Sequence, residues 1–145
     1  MRIIAQRCIN ASVEVDKKIV GKIANGLMLL VGFTDTDTSK EIDYMVDKVI
    51  NLRIFDDESG VMNKSLIDTG GSILSVSQFT LYADASKGRR PSYVKALSGD
   101  KAIKLYEEFN QKIKEKGIHI ETGIFGAEMK VSLINDGPIT IILEK

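Results

Sequence analysis

Between Ser72 and Asp84 the chain reads SILSVSQFTLYAD, with Ser75, Ser77, Gln78 and Thr80 set among the apolar residues Leu74, Val76, Phe79 and Leu81. The hydroxyls are potential nucleophiles, but serine or threonine needs a base within hydrogen-bond reach before it can attack. The chain has one histidine, His119, so any Ser-His-Asp arrangement depends on that residue alone. His119 lies in GIHIETG, at an outward position of an alternating pattern, and a surface role is its simpler reading. Taken as one strand, the stretch directs Ser75, Ser77, Phe79 and Leu81 to one face and Val76, Gln78, Thr80 and Tyr82 to the other. Such mixed faces suit a half-solvated antiparallel strand as well as a ligand site, and the pattern alone leaves both open.

Two other stretches carry chemistry. In NDGPIT, Asn135 to Thr140, Pro138 falls between two strand-like runs, where proline removes a ladder donor. The Gly-Pro pair suits either a plain hairpin turn or a rigid turn that aims backbone carbonyls in a fixed direction, and X-Pro bonds are the ones that can be cis. In ASKGRRPSYVK, Lys87, Arg89, Arg90 and Lys95 form a cationic cluster. Such a cluster is usually solvated surface; at the end of a site strand it could meet phosphates. The glycine-containing stretches lack the Walker A and dinucleotide spacings.

These residues need a scaffold. RIIAQRCINASVEVD suggests two strands split near Asn10, DKK a turn, and ANG another turn into the buried strand LMLLVGF. Thr38 and Glu41 have the spacing of a capping box, and Ile42, Met45, Val46 and Val49 follow at helical period. Glu58-Ser59-Gly60 marks a turn between short extended pieces. A second helix runs through GDKAIKLYEEFNQKIKEKG, with Ala102, Leu105, Phe109 and Ile113 on one stripe and Gly117 at its C-terminal end. IHIETGIF, MKVSLIN and ITIILE close the chain as extended segments. Many strands with two main helices predict a mixed, largely antiparallel α/β fold, helices covering one side of a sheet.

Composition narrows the classes. With 145 residues the chain suits one domain, and its 20 Lys and Arg balance 20 Asp and Glu. Zero net charge argues against a DNA-packaging or polybasic membrane protein. The lone Cys8 cannot form an intrachain disulfide, and a single histidine precludes a multi-histidine metal site within one chain. No apolar run reaches the length of a membrane span, and no signal peptide opens the chain, so a cytoplasmic protein is expected.

SQFTL at 77–81 and NDGPIT at 135–140 resemble the two signature motifs of the D-aminoacyl-tRNA deacylases. The resemblance extends through MRIIAQR, MNKSL, KGRRPSY and TGIFGAEM, and so over essentially the whole chain. Ile139 stands where valine is usual, a one-methylene departure. The resemblance implies a single domain, 1–145, with a three-layer α/β/β fold. It implies hydrolysis of the ester of D-aminoacyl-tRNA, and of glycine mischarged on tRNA(Ala), with L-aminoacyl-tRNA spared. It further implies a homodimer in which the Gly137–Pro138 turn, its peptide bond cis, enters the partner's pocket and presents carbonyls to the substrate's chiral centre. By the same resemblance no side-chain nucleophile is needed; the sequence shows no obvious metal site, and no metal or cofactor is expected. Phe79 and Thr80 would supply backbone oxyanion donors beside Gln78, and Ser77 and Gln78 would hold the adenosine. Thr80 would also orient the ester, Leu81 would touch substrate, and Phe125 and Met129 would line an adenine pocket. Arg7 would brace the Gly-Pro turn, and Lys87, Arg89 and Arg90 would contact tRNA. The competing expectations are a catalytically silent nucleic-acid-binding dimer and a small-molecule-binding dimer.

Overall fold

The computed structural model describes residues 1–145. Its elements are β1 (Arg2–Val15), β2 (Lys18–Gly32), α1 (Ser39–Ile50), β3 (Phe55–Asp56), β4 (Met62–Lys64), α2 (Leu66–Thr69), β5 (Ser72–Ser77), a 3-10 turn at Phe79–Tyr82, α3 (Gly99–Glu115), β6 (Ile120–Thr122) and β7 (Lys130–Glu144). Five strands form one sheet in the order β6-β5-β2-β1-β7, and β3 and β4 form a separate hairpin. β1 pairs antiparallel with β2 and β7, whereas β5 pairs parallel with β2 and β6.

One sheet face carries Ile3, Ala5, Leu27, Leu29, Val31 and Ile73 against Ile42, Met45, Val46 and Val49 of α1 and Leu105, Phe109 and Ile113 of α3. The other face holds Cys8, Ala11, Val13, Ile23, Met28, Leu74 and Val76 in a second apolar cluster. That cluster closes because the outer halves of β1 and β2 bend back over β5 and β6: a Cβ on Gly21 would lie 2.7 Å from the Thr122 carbonyl oxygen. Helices, sheet and folded-back strands make three layers.

Both helix expectations hold. Thr38 and Glu41 form the capping box, with the Thr38 N–H donating to Glu41 Oε2 at 2.9 Å. α3 ends at Glu115, with Gly117 just beyond.

Three expectations need correction. The first 32 residues are two long strands, not a four-piece meander. Asn10 bends β1 at φ 52°, and Gly26 bends β2 at φ 136°. A Cβ on Gly26 would lie 1.9 Å from the Ser72 carbonyl oxygen, so the apparent ANG turn is a close crossing of strands that only glycine permits. The second correction concerns Ser72–Asp84, where the strand stops at Ser77 and the chain coils into the 3-10 turn; the inferred faces beyond Ser77 do not exist. Third, Gly137–Pro138 is no hairpin turn between two strands but an excursion within β7. Pro138 is tolerated there because β7 is the sheet edge. From Gln6 to Cys8 β1 advances two residues while its partners on β7, Thr140 to Asn135, advance five. The extra three residues, an odd number, invert the side-chain phase of β7. Hence Ile139 and Ile141 pack on the helix side, and Val131 and Leu133 on the opposite cluster.

Candidate functional site

The 3-10 turn gathers the polar residues of the first motif. Gln78 N–H still donates to Val31 O at 2.8 Å, as a strand residue would, and Leu81 N–H then donates to Gln78 O, closing the turn. The first N–H groups of such a turn, those of Phe79 and Thr80, have no carbonyl of their own turn to reach. Gln78 precedes the turn without capping it. Its side-chain amide bonds instead to Thr80 Oγ1, so the two polar side chains hold each other at the rim. Two further residues set the turn's position. Gly32 leaves room for it, since a Cβ there would meet Gln78 O at 2.8 Å. Arg2 donates to Leu81 O, pairs with Glu144 and lies 4.9 Å over the Tyr82 ring.

Beside the turn a cleft is lined by Val31, Gly32, Phe33, Ser77, Gln78 and Phe79 on one side and by Leu97, Ala102, Phe125 and Gly126 on the other. Ser77, Gln78, Phe79 and Phe125 thus come together from β5, the turn and the loop after β6. Met129 does not join them; its sulfur packs beside Gly123, on the opposite apolar cluster. Leu81 is half-buried behind the turn, against Gly32.

Conventional nucleophiles are poorly placed. Ser75 is fully buried, and its Oγ has no hydrogen-bond partner. Cys8 is buried on the second cluster, and desolvation pushes its thiol up to about 11. The imidazole of His119 is 64% exposed and 3.2 Å from Glu121. The His119 carbonyl bonds Ile73 N–H at the start of β5, which puts the residue ~13 Å or more from the 3-10 turn at the strand's other end. Tyr82 is held protonated at neutral pH, its phenol pushed up to about 12 by burial and by Asp37. No three His, Cys, Asp or Glu side chains gather as a metal site would require.

The second motif is firmly held. The Gly137–Pro138 peptide is cis, and both residues are exposed. Asn135 Oδ1 accepts from Ile139 N–H at 2.9 Å, across the excursion. Arg7, buried beneath it, donates to Asp136 O at 3.2 Å and Ile54 O at 2.9 Å and pairs with Asp136 and Asp56. Ser77 is level with Val31, Ile3 and Leu143, whereas Asn135 is level with Cys8, Gly26 and Ser72. With ~3.3 Å per residue and ~4.8 Å between strands, the Gly-Pro turn is on the order of 20 Å from Ser77 of the same chain. Lys87, Arg89 and Arg90 are exposed on the loop that follows the 3-10 turn.

Gly32, Arg2, Leu97 and Ala102 were not expected at the site. Their neighbours there are distant in sequence, so no local pattern marks them.

A family model described as D-Tyr-tRNA(Tyr) deacylase matches residues 4–144. The chain is 59% identical over 144 residues to a D-aminoacyl-tRNA deacylase of Listeria monocytogenes serotype 4a (strain HCC23), covering 99% of this chain and 95% of that protein. A D-aminoacyl-tRNA deacylase of Brevibacillus brevis (strain 47 / JCM 6285 / NBRC 100599) is 57% identical, covering 99% of each. Among solved structures, the c-Myc DNA Unwinding Element Binding Protein superposes with a TM-score of 0.94 at 40% identity, covering 100% of this chain and 99% of that one. A probable eukaryotic D-amino acid tRNA deacylase shares the fold, with a TM-score of 0.85 at 20% identity over 98% of this chain and 97% of that one. With a full-length family match and close relatives aligned end to end, the chain belongs to the D-Tyr-tRNA(Tyr) deacylase family.

Proposed function

We propose that this protein hydrolyses the ester linking a D-amino acid to the terminal adenosine of tRNA, in the cytoplasm, and so removes wrong-handed residues before translation uses them. The observation that carries the reading is the pair of N–H groups at the start of the Phe79–Tyr82 turn, without a side-chain cap and beside the cleft that Phe79 lines. Adenine lies against Phe125, and Ser77 and Gln78 hold the adenosine and its ribose. Thr80 orients the ester. Water adds to the ester carbonyl, the resulting oxyanion takes hydrogen bonds from Phe79 and Thr80 N–H, and collapse expels the ribose oxygen, which leaves protonated. One such donor is typically worth ~10²–10³ in rate. The ester is already activated, so positioning and charge stabilisation suffice without a side-chain nucleophile.

Stereoselectivity needs a second element near the chiral centre. The Gly137–Pro138 turn is exposed and held from beneath by Arg7, but its own chain's cleft is too distant to use it. A homodimer that places each turn at the other chain's cleft resolves this. The exposed Ile134 and Ile142 of the edge strand β7 offer it apolar surface. The turn's carbonyls then receive the ammonium of a D-residue, and an L-residue would drive its Cβ into them. Glycine has no Cβ and passes, so glycine mischarged on tRNA(Ala) is a second substrate.

A catalytically silent nucleic-acid-binding dimer is the alternative, favoured by one observation: the similar solved structure at 40% identity is named for binding a DNA element. Deacylation of D-tyrosyl-, L-tyrosyl- and glycyl-tRNA by the purified protein, with EDTA present, separates the two. Fast release from the D-ester and the glycyl ester, with the L-ester spared, is expected. Equal, slow release from all three, alongside salt-sensitive RNA binding, would leave the silent binder standing.

A further inference from the structure

Phe79 and Tyr93 are out of place for aromatic residues of a small domain. Of the nine phenylalanines and tyrosines, these two touch edge to face, their centroids 5.3 Å apart, yet are 52% and 43% exposed. Burial is the usual fate of such rings, and exposed apolar surface is the informative exception. Phe79 lines the cleft, so the pair forms its outer lip. The backbone that carries Tyr93 is well anchored. Ser92 and Asp84 exchange N–H···O bonds at 2.9 and 2.8 Å, Ala96 N–H donates to Tyr93 O, and Leu97 N–H donates to Phe33 O. Thr34 Oγ1 donates to Lys95 O at 2.8 Å.

The same loop that carries Tyr93 also carries Lys87, Arg89, Arg90 and Lys95, all exposed, and none of them is among the chain's ion pairs. A fixed aromatic step edged by free cations is complementary to single-stranded RNA, whose bases stack on rings while its phosphates meet Lys and Arg. A protein partner would favour matched carboxylates or a larger apolar patch.

We propose that Tyr93, backed by Phe79, is the stacking platform for the nucleotide immediately preceding the terminal adenosine, with the 87–95 cations on the flanking phosphates. This rests on the deacylase reading above: the adenosine occupies the cleft, and the strand leaves over its aromatic lip. Tyr93 thereby acts on substrate binding and not on the ester.

The test compares a D-tyrosyl ester on adenosine alone, on a CCA trinucleotide and on tRNA, for the wild type, Tyr93→Ala and Tyr93→Phe. For Tyr93→Ala, KM should rise roughly 5- to 150-fold on the trinucleotide and on tRNA, the loss a stacked base would produce. Its kcat, and its kinetics on the adenosine ester, should match wild type. Tyr93→Phe keeps the ring and should restore wild-type KM. Equal KM on all three substrates would overturn the platform, as would an equal loss on the adenosine ester. Binding of uncharged CCA trinucleotide, measured in parallel, does not depend on turnover. A wild type that binds it more tightly than Tyr93→Ala yet hydrolyses no ester would sink the deacylase reading and keep the platform; equal binding would remove the platform whatever the activity.

Discussion

Gly32 shows how one missing side chain shapes the site. A methyl group there would sit 2.8 Å from the Gln78 carbonyl oxygen and 3.2 Å from Leu81 Cβ, so the 3-10 turn must move outward. The nearest atoms to that methyl belong to the turn and not to a helix, so the helices need not follow. Gly32→Ala should therefore lower kcat for the D-ester by about 10²-fold, the worth of a mispositioned oxyanion donor, with far-UV circular dichroism unchanged. Retained kcat in a folded variant would dissociate the turn from catalysis. Arg7 is the corresponding residue under the second motif. Its guanidinium serves Ile54 O, Asp136 O and two carboxylates at once, geometry that a lysine ammonium cannot reproduce. Arg7→Lys should cost about 1–3 kcal/mol in urea unfolding and narrow the ratio of D- to L-ester hydrolysis. Loss of stability with an unchanged ratio would make Arg7 a fold residue only.

At the scale of elements, the parts that sequence reveals are those whose signals are local. Thr38, Glu41 and the apolar stripe of α1 lie within twelve residues of each other, and the capping box forms as the spacing implies. Ser65 and Asp68 have the same spacing and cap α2, a helix overlooked because its single turn lacks an apolar period. The strand end at Ser77 is hidden for the opposite reason. Phe-Thr-Leu-Tyr are strand formers, and they coil because Arg2 and Gly32, far away in sequence, shape the space that receives them. Likewise the clustering of Ser77, Gln78 and Phe125 is legible only by resemblance, and the packing of Met129 on the far cluster is not legible at all. The cap of α1 can be tested by pH. Hydrogen bonds from Thr38 side chain and backbone hold Glu41 below the usual carboxylate range. A carboxyl lowered in the folded state adds stability above its unfolded pKa of about 4.3 and loses it as pH falls through the folded value. Thr38→Ala should lower Tm by about 2–4 °C at pH 7, and the gap to wild type should shrink below pH 4. A gap independent of pH would mean that Glu41 takes no part in the cap.

The whole molecule must reconcile two motifs that its own fold holds on the order of 20 Å apart. Three strand spacings and the β7 excursion separate them, and no loop motion joins groups anchored in one sheet. Under the dimer reading each cleft is completed by the partner's turn, and this makes an unusual genetic prediction. Gly32→Ala spoils the chain that supplies the oxyanion donors. Gly137→Ala spoils the chain that supplies the gate, because φ +123° is hostile to a side chain and the new Cβ would lie 2.7 Å from Ile139 Cγ1. In a mixed dimer, one cleft inherits both lesions and the other inherits neither. Unfolding and refolding an equal mixture of the two variants makes about half the dimers mixed, so roughly a quarter of the sites should regain both native donors and a native gate. The recovered activity should be D-selective, since the restored cleft has a native gate. If instead each chain works alone, refolded mixtures will be no more active than their parts, and the Gly137–Pro138 turn must serve the fold without meeting the substrate.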